Sequence, residues 1–172
     1  IIGAIGDERI LLDKAIEGAH FSRSSWAKEM PSEVSYWALA IYLRAIGRYL
    51  DYATFVDGRP PTRAVESLLG YARVMAQVRL SQGERPWSSP TTWASDALLM
   101  AARYTGSEED RQLFRRLAER AFEDGWRSII GDSPGYVYHN AKTTTMSFTG
   151  GGEWMYHLRH PEELGKPGLP GG

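Results

Sequence analysis

Apolar residues recur every three or four positions through five long stretches of this chain, and each stretch stops at glycine, proline or a cluster of both. That spacing marks one face of an α-helix, so the pattern predicts a fold made almost wholly of helices. The first helix is expected from about Asp7 to Phe21, with Ile10, Leu11, Lys14, Ala15 and Ala19 along one side. A second opens after Pro31, where Ser32 is a good N-cap and the proline bars extension backwards. It carries Trp37, Ala38, Ile41, Ala45, Tyr49 and Leu50 and is expected to end near Tyr52.

Asp57-Gly58-Arg59-Pro60-Pro61 is a turn cluster, after which Thr62 caps a third helix striped by Val65, Leu68, Ala72, Met75 and Ala76. Gly83 closes it, and Pro86 and Pro90 keep the following connection extended. The fourth helix runs from near Thr91 to a stop at Gly106. Ser107, followed by Glu108, Glu109 and Asp110, opens a fifth whose acidic first turn suits the positive helix terminus. It is expected to end by Gly125 or Trp126. Residues 131–152 are rich in Gly, Ser and Thr, which predicts an irregular or β-like segment near 134–148 with a short strand at Tyr136 to His139. A short sixth helix follows Gly150-Gly151-Gly152 and carries Trp154, Met155 and Leu158. The expected organisation is one all-α domain of consecutive helical hairpins over 1–161, with 162–172 as a flexible tail or linker.

A weak internal repeat supports the hairpins. Trp37-Ala38 returns as Trp93-Ala94, 56 residues later, with Leu43 matching Leu99 and Ala45 matching Ala101. Trp154 lies a further 61 residues on. A period of this length suits a unit of two helices, stacked or arranged as a toroid. The second and fourth helices are aromatic and poor in charge. The third carries Arg63, Glu66, Arg73 and Arg79, and the fifth Arg111, Arg115, Arg116, Glu119 and Arg120. Even helices are therefore expected inside and odd ones outside.

Composition removes several functional classes. Twenty Lys and Arg against twenty-one Asp and Glu leave a net charge of −1, with no basic excess to neutralise a phosphate backbone, so nucleic acid is not an expected partner. The absence of cysteine excludes disulfides, thiolate metal sites and cysteine nucleophiles. No apolar run approaches the roughly 20 residues a membrane span needs, so no membrane partner is expected. His20, His139, His157 and His160 lack metal-site spacing, and neither a metal nor another cofactor is expected.

The loops leading into the even helices are polar, bear aromatics and are longer than a turn needs, so one end of the domain is the expected site. Glu33, Asp96 and Glu153 lie near the starts of the three even helices and are candidate catalytic acids, since glycoside hydrolysis needs two carboxylates in opposite protonation states. The helix dipole alone also favours acids there. Tyr138 and His139 are candidate bases for a lyase, with Arg85, Asn140 and Lys142 as ligands for an anionic or polar substrate. Trp87, Trp93 and Trp154 are candidate platforms for sugar rings, although Trp93 also sits on the apolar stripe and suits the core.

The stretch Trp93-Ala94-Ser95-Asp96-Ala97-Leu98-Leu99-Met100-Ala101-Ala102-Arg103-Tyr104-Thr105-Gly106, followed by Glu108, Glu109, Phe114, Leu117, Ala118 and Phe122, resembles a hairpin of the α/α-toroid, or six-hairpin glycosidase-like, superfamily. The resemblance covers Ser32 to Trp126. It implies a glycan-active domain of glycoside hydrolase or polysaccharide lyase type, with a saccharide bound in a funnel at one end. A closed toroid has roughly twice as many helices, so the chain is expected to be a partial or open toroid, completed by the rest of a larger parent chain or by a homo-oligomer. The alternative is a non-catalytic helical scaffold for protein interaction or self-assembly. A ring-type terpenoid cyclase half lacks its Asp-rich cluster here. A secreted or periplasmic location is preferred to a cytoplasmic one.

Overall fold

The computed structural model describes residues 2–20, 36–81, 83, 91–129 and 151–163. Among them are six α-helices and no strand: α1 (Ile2–Gly18), α2 (Tyr36–Asp57), α3 (Thr62–Ser81), α4 (Thr91–Tyr104), α5 (Glu108–Ile129) and α6 (Gly152–Arg159), with a 3-10 turn at Pro161–Glu163. The all-α expectation holds. The expected β-like segment near 134–148 and the tail beyond the 3-10 turn lie outside the described residues.

Helix ends follow local chemistry. α2 continues past Tyr52 to Asp57, because nothing before Gly58 opposes the helix. Gly58 adopts φ 72, a left-handed geometry that glycine takes without a Cβ penalty, and its N–H donates to the Thr54 carbonyl at 2.8 Å. At the start of α3 the Pro61 carbonyl accepts from the Ala64 and Val65 amides, both at 3.1 Å, so Thr62 is the first helical residue rather than the cap. Ser107 caps α5, its Oγ accepting from the Asp110 amide at 3.2 Å. α5 then runs through Gly125 to Ile129, further than the expected stop. A single interior glycine costs only about 1 kcal/mol and does not by itself end a helix.

Consecutive helices from α2 onward pack on one another, and two rows emerge. α2, α4 and α6 follow in one row; α1, α3 and α5 form the other. α4 holds the centre, and every residue from Thr92 to Thr105 is buried. α5 instead buries a single line, Phe114, Ala118, Ala121 and Gly125, and leaves its arginines and glutamates in water. The division between inner and outer helices is therefore real for this pair. α2 and α4 run parallel: Arg44 meets Asp96, and seven residues further along each helix Asp51 meets Arg103. Their close approach depends on Gly47, where a Cβ would lie 3.0 Å from Met100 Cγ and nearer still to its sulfur.

α1 departs from its expected orientation. Ile16 and His20 are buried, whereas Ile10, Leu11, Lys14 and Ala15 of the expected stripe are exposed. Polar anchors set the rotation. Arg9 pairs with Asp57, the Tyr49 hydroxyl donates to Asp13, and the Tyr42 and Tyr71 hydroxyls donate to the Ala19 carbonyl at 3.2 and 2.9 Å. The expected stripe is outvoted by directional bonds to neighbours distant in sequence.

Candidate functional site

α2 carries Arg44, Arg48 and Asp51 at four- and three-residue steps, so the three project from adjacent turns of one face. They meet Asp96, Arg103 and Tyr104 of α4 and Glu153 of α6, and Glu153 in turn faces His157 on its own helix. The result is a polar seam laid along the central helix, where purely apolar packing would be the default.

Its centre is dry. Asp51, Asp96, Arg103, Glu153 and His157 are each no more than 4 % exposed. Arg103 donates to Asp51 Oδ1, and the Tyr104 hydroxyl donates to the same oxygen at 2.6 Å. Arg48 Nη1 lies 3.0 Å from Glu153 Oε1, and Arg103 Nη1 and His157 Nε2 both stand 3.6 Å from Glu153 Oε2. Asp96 accepts a 2.8 Å hydrogen bond from the Gly151 amide, while Arg44 Nε approaches its other oxygen at 3.4 Å. The Arg44 guanidinium also lies 5.3 Å from the centre of the Trp93 ring, a cation–π arrangement. Among the described residues of the seam, Arg48 and Arg44 reach water, with side chains 58 % and 23 % exposed.

The carboxyls of Asp96 and Glu153 are shifted in opposite directions. Burial pushes the Asp96 carboxyl up to about 6; Arg44 and the Gly151 amide pull against it, and the charge on Glu153 adds to the rise. Burial also pushes Glu153 up, but His157, Arg103 and Arg48 together outweigh it and hold the group below the usual carboxylate range. At near-neutral pH, then, one carboxyl is close to taking a proton and its neighbour is firmly ionised. Tyr104 is raised well above the ordinary phenol value by burial and by Asp51.

Some bonding capacity in the seam is unused. Glu153 Oε2, Arg103 Nη1 and Nε, and both ring nitrogens of His157 make no hydrogen bond among the described residues. Arg103 Nη1, His157 Nε2 and Glu153 Oε2 instead face one another as charge partners at 3.6 Å, longer than a hydrogen bond. Among the described residues no group of three or more His, Asp or Glu side chains is placed to hold a metal ion, and no helix is long and apolar enough to cross a membrane.

Of the candidates named from sequence, Asp96 and Glu153 are brought together. Trp93 and Trp154 are 9 % and 7 % exposed; Trp93 lies under Arg44, and Trp154 stacks on Phe122 at 5.7 Å, so both are packed within the protein. Glu33, Arg85, Trp87, Tyr138, His139, Asn140 and Lys142 lie outside the described residues. Arg44, Arg48, Asp51, Arg103 and Tyr104 were not expected. A signal for them exists: Arg103 falls inside the apolar run of α4, and a charge among core positions calls for a buried partner of opposite sign.

No family model, curated protein or solved structure matches this chain.

Proposed function

We propose that this is a glycan-active helical domain of glycoside hydrolase type, with Asp96 as general acid and Glu153 as the ionised partner. The observation that carries the reading is the opposed ionisation of these two neighbouring carboxyls. Environments that drive two carboxyls apart are how glycosidases assign acid and base at one pH. In such a reaction Asp96 gives its proton to the leaving glycosidic oxygen, and Glu153 stabilises the developing positive charge or takes a proton from the attacking water. Arg48, at the open edge of the seam, is placed to meet a hydroxyl or carboxylate of the sugar. The row of parallel helices with a second row outside supports a partial or open α/α toroid as the frame.

Binding to a glycan array, followed by hydrolysis assays of the retained glycans with Asp96→Asn and Glu153→Gln, tests this. Retention of a glycan, with turnover lost in both variants, is the expected result. A chain that retains no glycan is not glycan-active.

A second reading, a non-catalytic helical scaffold, is favoured by a different observation. Glu153 has guanidinium groups at both oxygens and is 4 % exposed, as expected of an ion pair that fastens α6. On that reading Glu153→Gln lowers thermal stability and the wild-type chain turns over no glycan.

A further inference from the structure

A cleft of about 450 Å³ lies between the end of α3 and the middle of α5, and none of the residues lining it belongs to the seam. An ion pair between Arg73 and Asp110 at 2.6 Å fastens the start of α5 to α3, and six residues further along each helix the cleft opens. A space of that size suits a small molecule.

Arginine dominates its inner part. Leu68, Ala72 and Met75 follow at four- and three-residue steps along the buried side of α3, and Arg79 takes the next place in that line. Arg79 is 3 % exposed and is the one buried residue of the lining. A guanidinium at a core position keeps its charge and presents a planar fork that fits a carboxylate or a phosphate. Arg116 and Arg120 line the cleft from α5. Arg120 Nε also faces Asp124 at 3.6 Å, whereas Arg116 makes no ion pair among the described residues.

The acidic residues of the lining, Glu119 and Glu123, stand further round α5. Successive residues of a helix advance by about 100°, so Arg120 stands about 60° from the half-buried Leu117 and Arg116 about 100°. In the same direction Glu123 follows at about 120° and Glu119 at about 160°. Cationic residues therefore come first from the α3 side, and carboxylates form the outer rim.

We propose that this cleft binds a small hydroxylated acid. Its single phosphate or carboxylate group enters among Arg79, Arg116 and Arg120, and its hydroxyls turn outward to Glu119 and Glu123. Charge-assisted bonds to guanidinium groups hold the acidic head. Ionised carboxylates only accept hydrogen bonds, so the rim selects a body that donates them and repels a second acidic group. The cleft shares no residue with Asp96 and Glu153, and the inference does not rest on the glycan reading.

Isothermal titration calorimetry tests it with glucose 6-phosphate and glucuronate, which carry the two kinds of acid on similar bodies, and with glucose as the neutral control. At least one acid is expected to bind at one site per chain with Kd below about 1 mM, and glucose at least about ten-fold more weakly. Arg116→Gln is expected to weaken that acid by about ten-fold or more. Arg115→Gln removes the same charge from outside the cleft and is expected to leave binding within about two-fold. Both positions are exposed, so both variants keep the fold. Binding of glucose 6-phosphate alone assigns a sugar phosphate, binding of glucuronate alone a sugar acid, and binding of both supports the site as stated. Failure of both acids, equal binding of glucose, or equal loss in the two arginine variants overturns the inference. Binding that is lost in Asp96→Asn belongs to the seam and overturns it as well.

Discussion

Asp96, in the middle of α4, accepts a hydrogen bond from the backbone amide of Gly151, 55 residues away, and so fixes the entry of α6 against the centre of the protein. The first amides of a helix have no partner within it, and a carboxylate placed there both accepts the bond and meets the positive end of the dipole. The charge of Glu153 acts on the same carboxyl, so the residue that positions α6 is also one whose proton affinity the surroundings raise.

That dual position gives a pH signature. The Asp96 carboxyl is raised to about 6 by burial, above its value of 3.8 in the absence of the fold. Between those values the folded state binds more protons than the unfolded one, so this group's contribution to stability falls as pH rises through that window. The full effect is on the order of 2–3 kcal/mol. Glu153 acts in the opposite sense at lower pH: its stabilisation is present above the ordinary glutamate value and is lost as pH falls through its lowered one. Urea titrations at intervals from pH 4 to pH 7 are expected to show wild type losing stability relative to Asp96→Asn, which keeps an acceptor for Gly151 but cannot titrate. Parallel curves for the two proteins are incompatible with a raised Asp96.

The Asp51–Arg103 pair carries a larger and simpler expectation. Both groups are buried, and removing Asp51 leaves the Arg103 charge with only its longer contact to Glu153. Asp51→Ala is expected to cost roughly 3–5 kcal/mol in chemical denaturation. Tyr104→Phe, which removes only the 2.6 Å hydroxyl bond to Asp51, is expected to cost about 1–2 kcal/mol. If Asp51→Ala costs no more than Tyr104→Phe, the pair is not the buried anchor described here.

Gly47 is expected to tolerate no side chain. A methyl group there enters the space of Met100, whose fully buried side chain must shift to admit it. Gly47→Ala is expected to destabilise by about 1–3 kcal/mol as an overpacked core. Adding Met100→Ala is expected to cost less than the sum of the two single changes, because the added methyl occupies part of the space the sulfur leaves. Denaturation midpoints for the four-member cycle decide this.

How much of this was legible in the sequence depended on which forces decide each feature. α3, α4 and their ends follow from apolar period and from Gly58, Pro60, Pro61 and Gly106, all local signals. α1 does not: its rotation is set by Arg9, Asp13 and Ala19 bonding to Asp57, Tyr49, Tyr42 and Tyr71, and no local pattern encodes those partners. The site divides in the same way. Asp96 and Glu153 were visible as acids near helix starts, whereas nothing local to Arg44 and Arg48 encodes their partners, Asp96 of α4 and Glu153 of α6. Trp93 and Trp154 announced themselves as aromatics, but whether an aromatic faces solvent or core is settled by packing alone.

Gly151 offers the sharpest test of how α6 is held. It has φ 97, a conformation side chains rarely adopt, and a Cβ there would stand 2.9 Å from Phe122 Cε2, beside the stack that Phe122 makes with Trp154. Gly151→Ala therefore combines backbone strain of about 1–2 kcal/mol with a clash against a ring that cannot retreat without disturbing Trp154. α6 is short and lies at the end of its row, so the expected response is local. Amide exchange is expected to quicken in α6 and the Trp154 environment to become wetter, while α3 and α5 keep their protection. Gly58→Ala is the matched control: its φ of 72 imposes comparable strain, but no atom lies within 4 Å of its added Cβ, and α6 is not expected to respond. Faster exchange in α6 with Gly58→Ala, or unchanged exchange with Gly151→Ala, would show that the Asp96–Gly151 contact is not what positions this helix.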